Sequence, residues 1–549
     1  MNNFSVLIGG KAGDGINQAG LLLARLFSQL GYRIYTYFDY PSLIRGGHNF
    51  SIIRASQNKV ATHEEKIDFL LALNKETVNL HKNRLKTPSY IICDSDTAQA
   101  EGLGINLTKM IKEENAASVM RNSPLLRAFS KSAGIRWGVL EKVLRNSISR
   151  DIDLNLKLAL KGYNKAKELL KIESLEQTLL PALSGNEIIA LGLIKAGLKA
   201  YIAYPMTPSS GILHFLAKIA DEFDLKVIHP ENEIAVILMA LGFSYAGEKA
   251  AVGTSGGGFD LMNEGISLSG MAELPIVIII AQRPGPSTGV PTYTAQADLH
   301  SVLNAGHGEF VRFVVSPGDA EEAYFCSQVA LKISWKFQIP SIILADKALS
   351  EGIYSFDIDS IEELKEEPVL WNRKAPYRRY LDTETGISPL TFLSDKEAII
   401  KVNSYAHDEF GITTEKHSKI KKLQDKYIRK EKNLAKDLEK YETVKVYGNK
   451  SASLALLCWG SNKGVCVELA ESLGLKVIQP VVLSPFPVRQ FCEALNGVKR
   501  IVSVENNATA QLVRLINQYG FRVDEKILKY DGRPFSLDEL EAEFEKAIK

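Results

Sequence analysis

Two loops place polar side chains directly beyond apolar, strand-like runs, where the ligands of open α/β sheets collect. The first loop reads Tyr204-Pro205-Met206-Thr207-Pro208-Ser209-Ser210. Its two prolines flank the hydroxyl of Thr207 and restrict the backbone. This pattern indicates a ligand-binding loop. The alternative is a plain turn in which Ser209 and Ser210 cap the next helix.

The second loop follows the apolar run Ile276–Ile280 and extends from Gln282 to Thr292. Arg283 lies three residues past that run. A guanidinium at this place suits bidentate capture of a carboxylate or a phosphate, and an ordinary ion pair is the alternative. Further polar residues continue the segment, namely Gln296, Asp298, His307 and Glu309.

A carboxylate and a glycine-rich turn lie between these loops. Glu233 begins an apolar helix, where a carboxylate ordinarily compensates the helix dipole. The turn reads Thr254-Ser255-Gly256-Gly257-Gly258-Phe259 and follows an apolar strand. Each segment alone is typical of ordinary structure, so a function has to come from their combination.

A second glycine loop opens the chain, with Gly10, Gly13 and Gly15 between a short strand and a helix. Backbone N–H groups and a helix dipole at such a turn suit a phosphate. The spacing G-G-x-x-G-x-G differs from the dinucleotide fingerprint G-x-G-x-x-G, which disfavours a nicotinamide site. A contact to a phosphate or to coenzyme A and a purely structural turn both remain open.

The composition is that of an ordinary globular protein. The 549 residues are 45% hydrophobic and 24% charged, with a net charge of +2. This balance gives no indication of the basic face that nucleic-acid binding requires. The segment MNNFSVLIGG lacks a basic region followed by an apolar stretch and a small-residue cleavage site, so we expect no secretory signal. No apolar run reaches the roughly 18 residues of a membrane span. We therefore expect a cytoplasmic protein with no nucleic-acid or membrane partner.

The five cysteines form no C-x-x-C pair. Iron–sulfur clusters and structural zinc sites need tight groups of thiolates, so we expect no metal site in this chain and scattered reduced thiols instead.

Alternating strand and helix patterns predict an α/β protein with three α/β units and mainly parallel sheets. The predicted domains are 1–180, 181–350, a linker 351–450 and 451–549. In the linker, one apolar stripe predicts an amphipathic helix that lies on another domain, and a coiled-coil partner is the alternative. The stripe consists of Ile420, Leu423, Tyr427, Leu434, Leu438 and Tyr441.

Taken together, the motifs resemble the 2-oxoacid:ferredoxin oxidoreductase family over nearly the whole chain. YPMTPSS is similar to the family's Y-P-I-T-P-S-S loop, with Met206 in place of isoleucine. The segments HPENEIAVILMALGFSYAG, TSGGGFDLMNE, QRPGPSTGVPT and AQADL resemble the alpha subunit, as do VENNATAQL and YDGRPF near the end. GGKAGDG and PSLIRGGHNF resemble the gamma subunit. The family more often has Gly-Gln where this chain has Ala510-Gln511.

The resemblance implies a fused gamma–alpha subunit of a heteromer with a separate beta subunit, of the (alpha-beta)n kind. The implied domains are a gamma-type domain, a domain like the pyrimidine-binding domain of thiamine-diphosphate enzymes, and a domain like the transketolase C-terminal domain. The implied reaction oxidatively decarboxylates a 2-oxoacid to an acyl-coenzyme A and CO2, with electrons passed to ferredoxin. Thiamine diphosphate, its Mg²⁺ and a [4Fe-4S] cluster are implied in the beta subunit.

The resemblance also assigns roles to residues. Glu233 matches the glutamate that hydrogen-bonds the aminopyrimidine ring of thiamine diphosphate and favours its imino tautomer. Thr207 and Arg283 match residues that hold the substrate carboxylate, and Thr292 matches another substrate-side hydroxyl. Tyr204, Pro205, Met206, Pro208 and Ser209 are expected to form the loop near substrate and cofactor. Gly10, Gly13 and Gly15 are the candidates for a coenzyme A contact.

Gly13-Asp14-Gly15 looks like the start of the family's magnesium motif, which also needs a later asparagine. Asn17 lies inside the next helix and Asn49 comes too late to serve as that asparagine.

Pyruvate, 2-oxoglutarate, and branched or broad-range 2-oxoacids all remain open as substrates. The alternatives are an aryl-pyruvate-specific relative, a nicotinamide-dependent dehydrogenase and a non-catalytic scaffold. Clustered cysteines in the large chain would favour the aryl-pyruvate-specific relative. Nucleotide binding by the isolated chain would favour the dehydrogenase, and loss of Glu233 and Arg283 would favour the scaffold.

Overall fold

The computed structural model describes residues 2–42, 46–164, 166–361 and 367–549. The chain forms two compact units. Unit 1 comprises Met1–Ser184, Glu351–Ile358 and Phe535–Lys549, and unit 2 comprises Gly185–Ser350 and Asp359–Pro534. Leu43, Ile44 and Arg45 of the PSLIRGGHNF motif lie outside the described residues.

The elements follow one another as alternating strands and helices. The strands are β1 (Asn3–Lys11), β2 (Arg33–Asp39), β3 (His48–Ser56), β4 (Ile67–Ala72), β5 (Leu85–Asp94), β6 (Leu103–Ile105), β7 (Ala182–Ser184), β8 (Ala200–Ile202), β9 (Lys226–Ile228), β10 (Ala250–Thr254), β11 (Ile276–Gln282), β12 (Phe313–Val315), β13 (Pro340–Asp346), β14 (Ile353–Ser355), β15 (Val444–Gly448), β16 (Leu454–Leu457), β17 (Lys476–Pro480), β18 (Val482–Ser484), β19 (Arg500–Glu505) and β20 (Glu525–Leu528).

The helices are α1 (Ile16–Gln29), α2 (Lys75–His81), α3 (Leu107–Glu113), α4 (Asn122–Ser132), α5 (Trp137–Ser147), α6 (Ile152–Tyr163), α7 (Gly185–Lys195), α8 (Ser210–Phe223), α9 (Glu233–Ala246), α10 (Gly256–Leu261), α11 (Asn263–Ala272), α12 (Leu299–Asn304), α13 (Ala320–Phe337), α14 (Lys347–Glu351), α15 (His417–Leu438), α16 (Asn462–Leu473), α17 (Val488–Ala494), α18 (Gln511–Asn517) and α19 (Leu537–Ile548). The predicted α/β fold class is confirmed.

Unit 1 is built on an eight-stranded sheet in the order β6-β5-β4-β1-β3-β2-β14-β7. The pairs from β6 to β1 are parallel, as the strand–helix alternation predicted. The pairs from β1 to β7 are antiparallel, and β2 and β3, which are consecutive strands in the chain, are neighbours in the sheet. Helix α1 packs on this sheet through its apolar face, which includes the fully buried Leu23, Leu26 and Phe27.

Two later stretches of the chain complete unit 1. Strand β14 pairs antiparallel with both β2 and β7. Helix α19 is anchored by the N–H of Leu537, which donates to His63 O at 3.0 Å, and by Asp538, which accepts from Glu65 N at 2.8 Å. Sequence patterns grouped these stretches with the linker and with the last α/β unit, since local periodicity does not reveal which sheet a short strand or an end helix joins.

Unit 2 contains two sheets that share one apolar core. The first has the order β18-β12-β13-β11-β10-β8-β9 and is parallel except for β18. The second has the order β15-β17-β16-β19-β20 and is parallel except for β15. The run Ile276–Ile280 in β11 is fully buried, as expected for a central parallel strand covered on both faces.

Helix α15 confirms the amphipathic helix predicted in the linker. Leu423, Tyr427, Leu434 and Leu438 are buried on one face. The same face also buries Lys426 and Lys430, whose ammonium groups both bind the carboxylate of Glu273 at the end of α11. A stripe of apolar residues could not reveal this ion cluster, because lysine ordinarily lies on the solvent face.

Candidate functional site

The loops predicted from the sequence to bind ligands follow the carboxyl ends of strands β8 and β11 in the first sheet of unit 2. Strand β8 connects through α8 to β9 on one side, and the chain then crosses through α9 to β10 on the other side of β8. From β10 the chain continues away from β8 to β11. The carboxyl ends of β8 and β10 therefore border a topological switch point, where ligands of open α/β sheets bind.

The loop after β8 is held by hydrogen bonds within unit 2. The Ser209 hydroxyl donates to Met206 O at 2.8 Å, and Asn186 Nδ2 donates to Pro208 O at 2.9 Å. Ser209 therefore closes the loop and does not cap α8. Tyr204 is exposed, and its ring lies 5.9 Å from that of His229. Pro205 is partly exposed in the same loop.

Glu233 is the first residue of α9 and is 3% exposed. Capping of α9 is done by Asn232, whose Oδ1 accepts from Ala235 N at 3.0 Å. Among the described residues, Glu233 Oε1 has no hydrogen-bond partner and no access to solvent. A buried carboxylate oxygen without a donor is costly, so this atom is available to accept a hydrogen bond from a ligand.

The glycine-rich turn follows β10 and lies against Glu233. A Cβ added to Gly258 would stand 2.5 Å from Glu233 Oε1 and 2.1 Å from Thr254 Oγ1. Only glycine allows the turn to pass this close to the carboxylate. The Sδ atom of Met206 contacts the hydroxyls of Thr254 and Ser255 and so joins the turn to the loop after β8.

Arg283 follows β11 and is half-buried. Its Nη1 donates to Thr207 O at 2.7 Å, so the two predicted carboxylate-binding residues lie side by side. Burial lowers the pKa of Arg283, and the nearby Asp298 raises it. A guanidinium has five N–H donors, and the bond to Thr207 uses one of them. The remaining donors suit a carboxylate.

Thr292 lies further along the same loop and is buried, and among the described residues its Oγ1 has no hydrogen-bond partner. The next residues are held by the segment that follows β20 in unit 2. Thr294 N donates to Gly532 O at 2.9 Å, and the Arg533 guanidinium stacks over the Tyr293 ring at 4.0 Å. No hydrogen bond described for unit 2 connects Thr292 with Arg283 or Glu233.

Sequence reasoning did not single out Asp298 as a site residue. Burial raises the pKa of its carboxyl, as does Asp260, while Arg283 lowers it, with a net value of about 6. Its Oδ2 lies 2.6 Å from where a Cβ on Gly256 would stand. The polar run after the proline-rich loop was the available signal, but a polar run in sequence does not show which side chain turns back to the sheet.

The glycine loop of unit 1 is filled by its own chain. The Asp14 carboxylate accepts from Lys11 N at 3.0 Å and from Arg121 at 2.7 Å. Gly13 and Gly15 have positive φ angles of 93° and 73°. A Cβ on Gly15 would stand 2.4 Å from Val119, and one on Gly10 would stand 2.8 Å from Asp14 Oδ2. These contacts account for the glycines as a tight turn, and the predicted coenzyme A contact stays a prediction.

Comparison with known proteins agrees with the motifs. Residues 191–427 match the family described as "Pyruvate flavodoxin/ferredoxin oxidoreductase, thiamine diP-bdg", and residues 5–165 match "Pyruvate ferredoxin/flavodoxin oxidoreductase". The chain is 30% identical to the 2-oxoacid:ferredoxin oxidoreductase subunit alpha of Sulfolobus sp, over 99% of this chain and 97% of the relative. It is 29% identical to the corresponding subunit of Saccharolobus solfataricus, over 98% and 96%.

A solved structure is similar over the whole chain. It is the 2-oxoglutarate:ferredoxin oxidoreductase from Magnetococcus marinus with 2-oxoglutarate, coenzyme A and succinyl-CoA bound. The TM-score is 0.89 at 26% sequence identity, and the match covers 100% of both chains.

Fold, site and family models together define a thiamine-diphosphate-dependent oxidoreductase. The chain belongs to the 2-oxoacid:ferredoxin oxidoreductase family, in which its relatives are alpha subunits. It is thus part of a multi-subunit enzyme that oxidises 2-oxoacids, as the motifs predicted.

None of the described helices is long and apolar enough to cross a membrane. The described residues include no group of three or more His, Cys, Asp or Glu that could hold a metal ion.

Proposed function

We propose that this chain supplies one half of an active site whose other half lies on a beta subunit. The reaction is the coenzyme-A-dependent oxidative decarboxylation of a 2-oxoacid to an acyl-coenzyme A and CO2, with ferredoxin as electron acceptor. The beta subunit holds thiamine diphosphate, its Mg²⁺ and the iron–sulfur cluster. The observation that carries this proposal is the buried, unpartnered Oε1 of Glu233 at the switch point of the sheet.

The donor that Glu233 lacks fits the aminopyrimidine ring of thiamine diphosphate. When bound, this cofactor supplies the carbon nucleophile that attacks the keto group of the substrate. Glu233 contributes a fixed negative charge against one ring nitrogen, which favours the protonated form of that nitrogen. Gly258 keeps the space beside the carboxylate open to one flat ring edge, because any larger side chain would meet Oε1.

Arg283 and Thr207 hold the carboxylate of the 2-oxoacid in this proposal. The hydrogen bond from Arg283 to Thr207 O fixes the guanidinium beside the loop after β8 and leaves its other donors for the substrate. The buried hydroxyl of Thr292 provides a further donor on the substrate side. Tyr204, Pro205, Met206, Pro208 and Ser209 shape the wall of the site.

The remaining parts of the chain have supporting roles. We assign residues 1–180 to a gamma-type domain, with Gly10, Gly13 and Gly15 as its candidate coenzyme A contact. Residues 185–350 correspond to the pyrimidine-binding domain, 359–450 to a linker, and 451–534 to a transketolase C-terminal-like domain, while 351–358 and 535–549 belong to unit 1. The families that match residues 5–165 and 191–427 support the first two assignments.

Substitution of Glu233 by glutamine tests the proposal. The variant is co-expressed with the partner subunit, and coenzyme-A-dependent reduction of a viologen dye is assayed with a panel of 2-oxoacids. We expect intact assembly and a loss of turnover of about 10²- to 10³-fold, because the amide retains the shape but lacks the charge. Glu231→Gln is the matched control, since Glu231 is exposed two residues earlier. Equal rates for both variants would remove Glu233 from the mechanism.

A further inference from the structure

Asp298 is fixed at the carboxyl end of β11 by its backbone. The loop that leaves β11 at Arg283 returns to the strand end at Asp298, whose N–H donates to Gln282 Oε1 at 3.0 Å. The amide of Gln282 is itself held, because Nε2 donates to Ala345 O at 3.1 Å on the neighbouring strand β13. The position of Asp298 beside the site is therefore set by the sheet.

The side chain of Asp298 lies against the glycine-rich turn. Its Oδ2 has no hydrogen-bond partner among the described residues and no access to solvent. A Cβ on Gly256 would stand 2.6 Å from Oδ2 and 2.9 Å from Oδ1. Two buried carboxylate oxygens thus bracket the turn, with Asp298 at Gly256 and Glu233 at Gly258. Glu233 is assigned to the cofactor in the proposed function, whereas Asp298 has no assigned partner.

Two charged groups face Asp298, one on α10 and one in the loop beyond β11. Asp260 on α10 raises the pKa of the Asp298 carboxyl, Arg283 beyond β11 lowers it, and burial is the largest influence. On α12, His300 is turned to α18, where its Nε2 lies 3.1 Å from Gln511 O. The described residues show no ion pair between Arg283 and Asp298, so their attraction acts across a gap. An anion at Arg283 would enter next to a second negative charge.

On the basis of the proposed carboxylate contact at Arg283, we infer that Asp298 is a positioning residue that couples 2-oxoacid binding to uptake of one proton. In the free site the ionised carboxylate balances the charge of Arg283. When the substrate carboxylate binds Arg283, it neutralises the guanidinium charge in place of Asp298. A proton from solvent then adds to Asp298 to form a neutral carboxylic acid. No other bond forms or breaks in this step.

The proton linkage predicts a specific dependence of binding on pH. The carboxyl has a pKa of about 6 in the free site, so it is mostly ionised at pH 7 to 8. Substrate binding raises this pKa, because a second negative charge nearby favours the neutral form. The KM for the 2-oxoacid should therefore rise by up to about tenfold per pH unit above pH 6, until the pKa of the bound form is reached.

Calorimetric titration of the assembled complex with oxamate, an unreactive 2-oxoacid analogue, tests this directly. Titrations at pH 7 in two buffers of different ionisation enthalpy give the number of protons taken up. We expect the wild type to take up on the order of 0.5 to 1 proton, because the pKa of Asp298 is raised in the bound state. Asp298→Asn keeps the shape of the side chain but cannot titrate, so it should take up no proton. Uptake that persists in Asp298→Asn would overturn the inference.

Steady-state kinetics add a readout that a structural role would not move. In Asp298→Asn the KM should be flat between pH 6 and 8 and lower than the wild-type KM at pH 8, with kcat changed less than KM. Asp260→Asn is the matched control on the exposed side of α10. It should keep the pH dependence but shift its midpoint to lower pH, because Asp260 raises the pKa of Asp298. A KM that is raised equally at all pH values in Asp298→Asn would assign the residue to packing alone.

Arg283→Ala separates failure of this inference from failure of the proposed function. If oxamate binds Arg283→Ala as it binds the wild type, the carboxylate contact itself is wrong and the inference falls with it. If binding is lost in Arg283→Ala but the wild type takes up no proton, the contact stands and only the role of Asp298 is refuted.

Discussion

The two glycine-rich turns of this protein have the same plan, a strand, a turn and a helix, but they differ in how their charged groups are satisfied. In unit 1, the carboxylate of Asp14 is occupied by Arg121 and by the N–H of Lys11. In unit 2, oxygens of Glu233 and Asp298 beside the turn have no partner among the described residues. The carboxylate at the turn of unit 1 is thus paired within its own unit, whereas the turn of unit 2 leaves two carboxylate oxygens available to the ligands proposed above.

The largest effect that follows from this contrast is on the stability of unit 1. Arg121 is the cation for two buried carboxylates, Asp14 at 2.7 Å and Asp94 at 3.3 Å. Arg121→Met should destabilise the fold by about 3–5 kcal/mol, because both carboxylates would remain buried without the cation that pairs with them. Thermal unfolding measures the loss. The control is Arg145→Met, which breaks an exposed pair with Glu141 and should change stability by less than about 1 kcal/mol. Similar melting temperatures for the two variants would show that the buried ion pairs of Arg121 stabilise unit 1 no more than the exposed pair of Arg145 does.

An intermediate effect is expected on catalysis at the turn of unit 2. Gly258→Ala puts a methyl group within 2.5 Å of Glu233 Oε1, so the carboxylate must move. Since misplacement of a catalytic group by about 1 Å can cost about 10²-fold in rate, we expect a loss of turnover of that order.

Gly257→Ala provides the matched control for this substitution. Gly257 is exposed in the same turn, and a Cβ there would meet its nearest neighbour at 3.7 Å. Its kcat should stay near the wild-type value in the dye-reduction assay. Equal losses in both variants would show that the turn as a whole, and not the space beside Glu233, matters.

The smallest effect concerns another buried carboxylate, Glu273, which is paired with two lysines. Burial alone would raise the pKa of Glu273, but Lys426, Lys430 and Arg379 hold it well below its usual range. Its stabilising effect is therefore complete above the unfolded pKa of about 4.3 and is lost as the pH falls below it. We expect about 1 kcal/mol of stability to be lost per pH unit between pH 4 and 3.

Lys430 acts in the opposite pH range. Burial lowers its pKa to about 8, so between pH 8 and about 10.4 the unfolded chain binds a proton that the folded chain has released, and stability rises with pH there. The melting temperature of the wild type and of Lys430→Met, measured across both ranges, checks the signs. A melting temperature of the wild type that is constant from pH 5 to 3 would contradict the account.

Strands and helices with strong patterns could be predicted closely from the sequence. Apolar runs bounded by turn residues predict strands at Arg33–Asp39, Ala250–Thr254, Lys476–Pro480 and Arg500–Glu505, and the structure has strands with these bounds. These runs are apolar and end at clear turns, so local preference and burial agree. Short strands such as β7 and β14 could not be predicted, because β14 pairs with β2 and β7 pairs with β14, and these contacts join distant parts of the chain.

The candidate site was predictable only in part. The sequence indicated the positions of Glu233, Thr207 and Arg283, since all follow strands or begin a helix. It did not show that Thr207 is contacted through its backbone oxygen or that Ser209 closes its own loop. Ala510 is a related case: it adopts a positive φ of 51°, at the place where the family more often has glycine. Such conformations depend on tertiary context more than on residue type.

Strand β14 and helix α19 have a consequence for how the chain is made. Both join unit 1, yet a ribosome produces β14 only after the first segment of unit 2, Gly185–Ser350, and α19 only after all of unit 2. Unit 1 cannot complete its sheet during the synthesis of residues 1–184, because β7 pairs with β14 alone. The edge of the sheet at β2 therefore stays unpaired while about 170 further residues are translated, until β14 emerges.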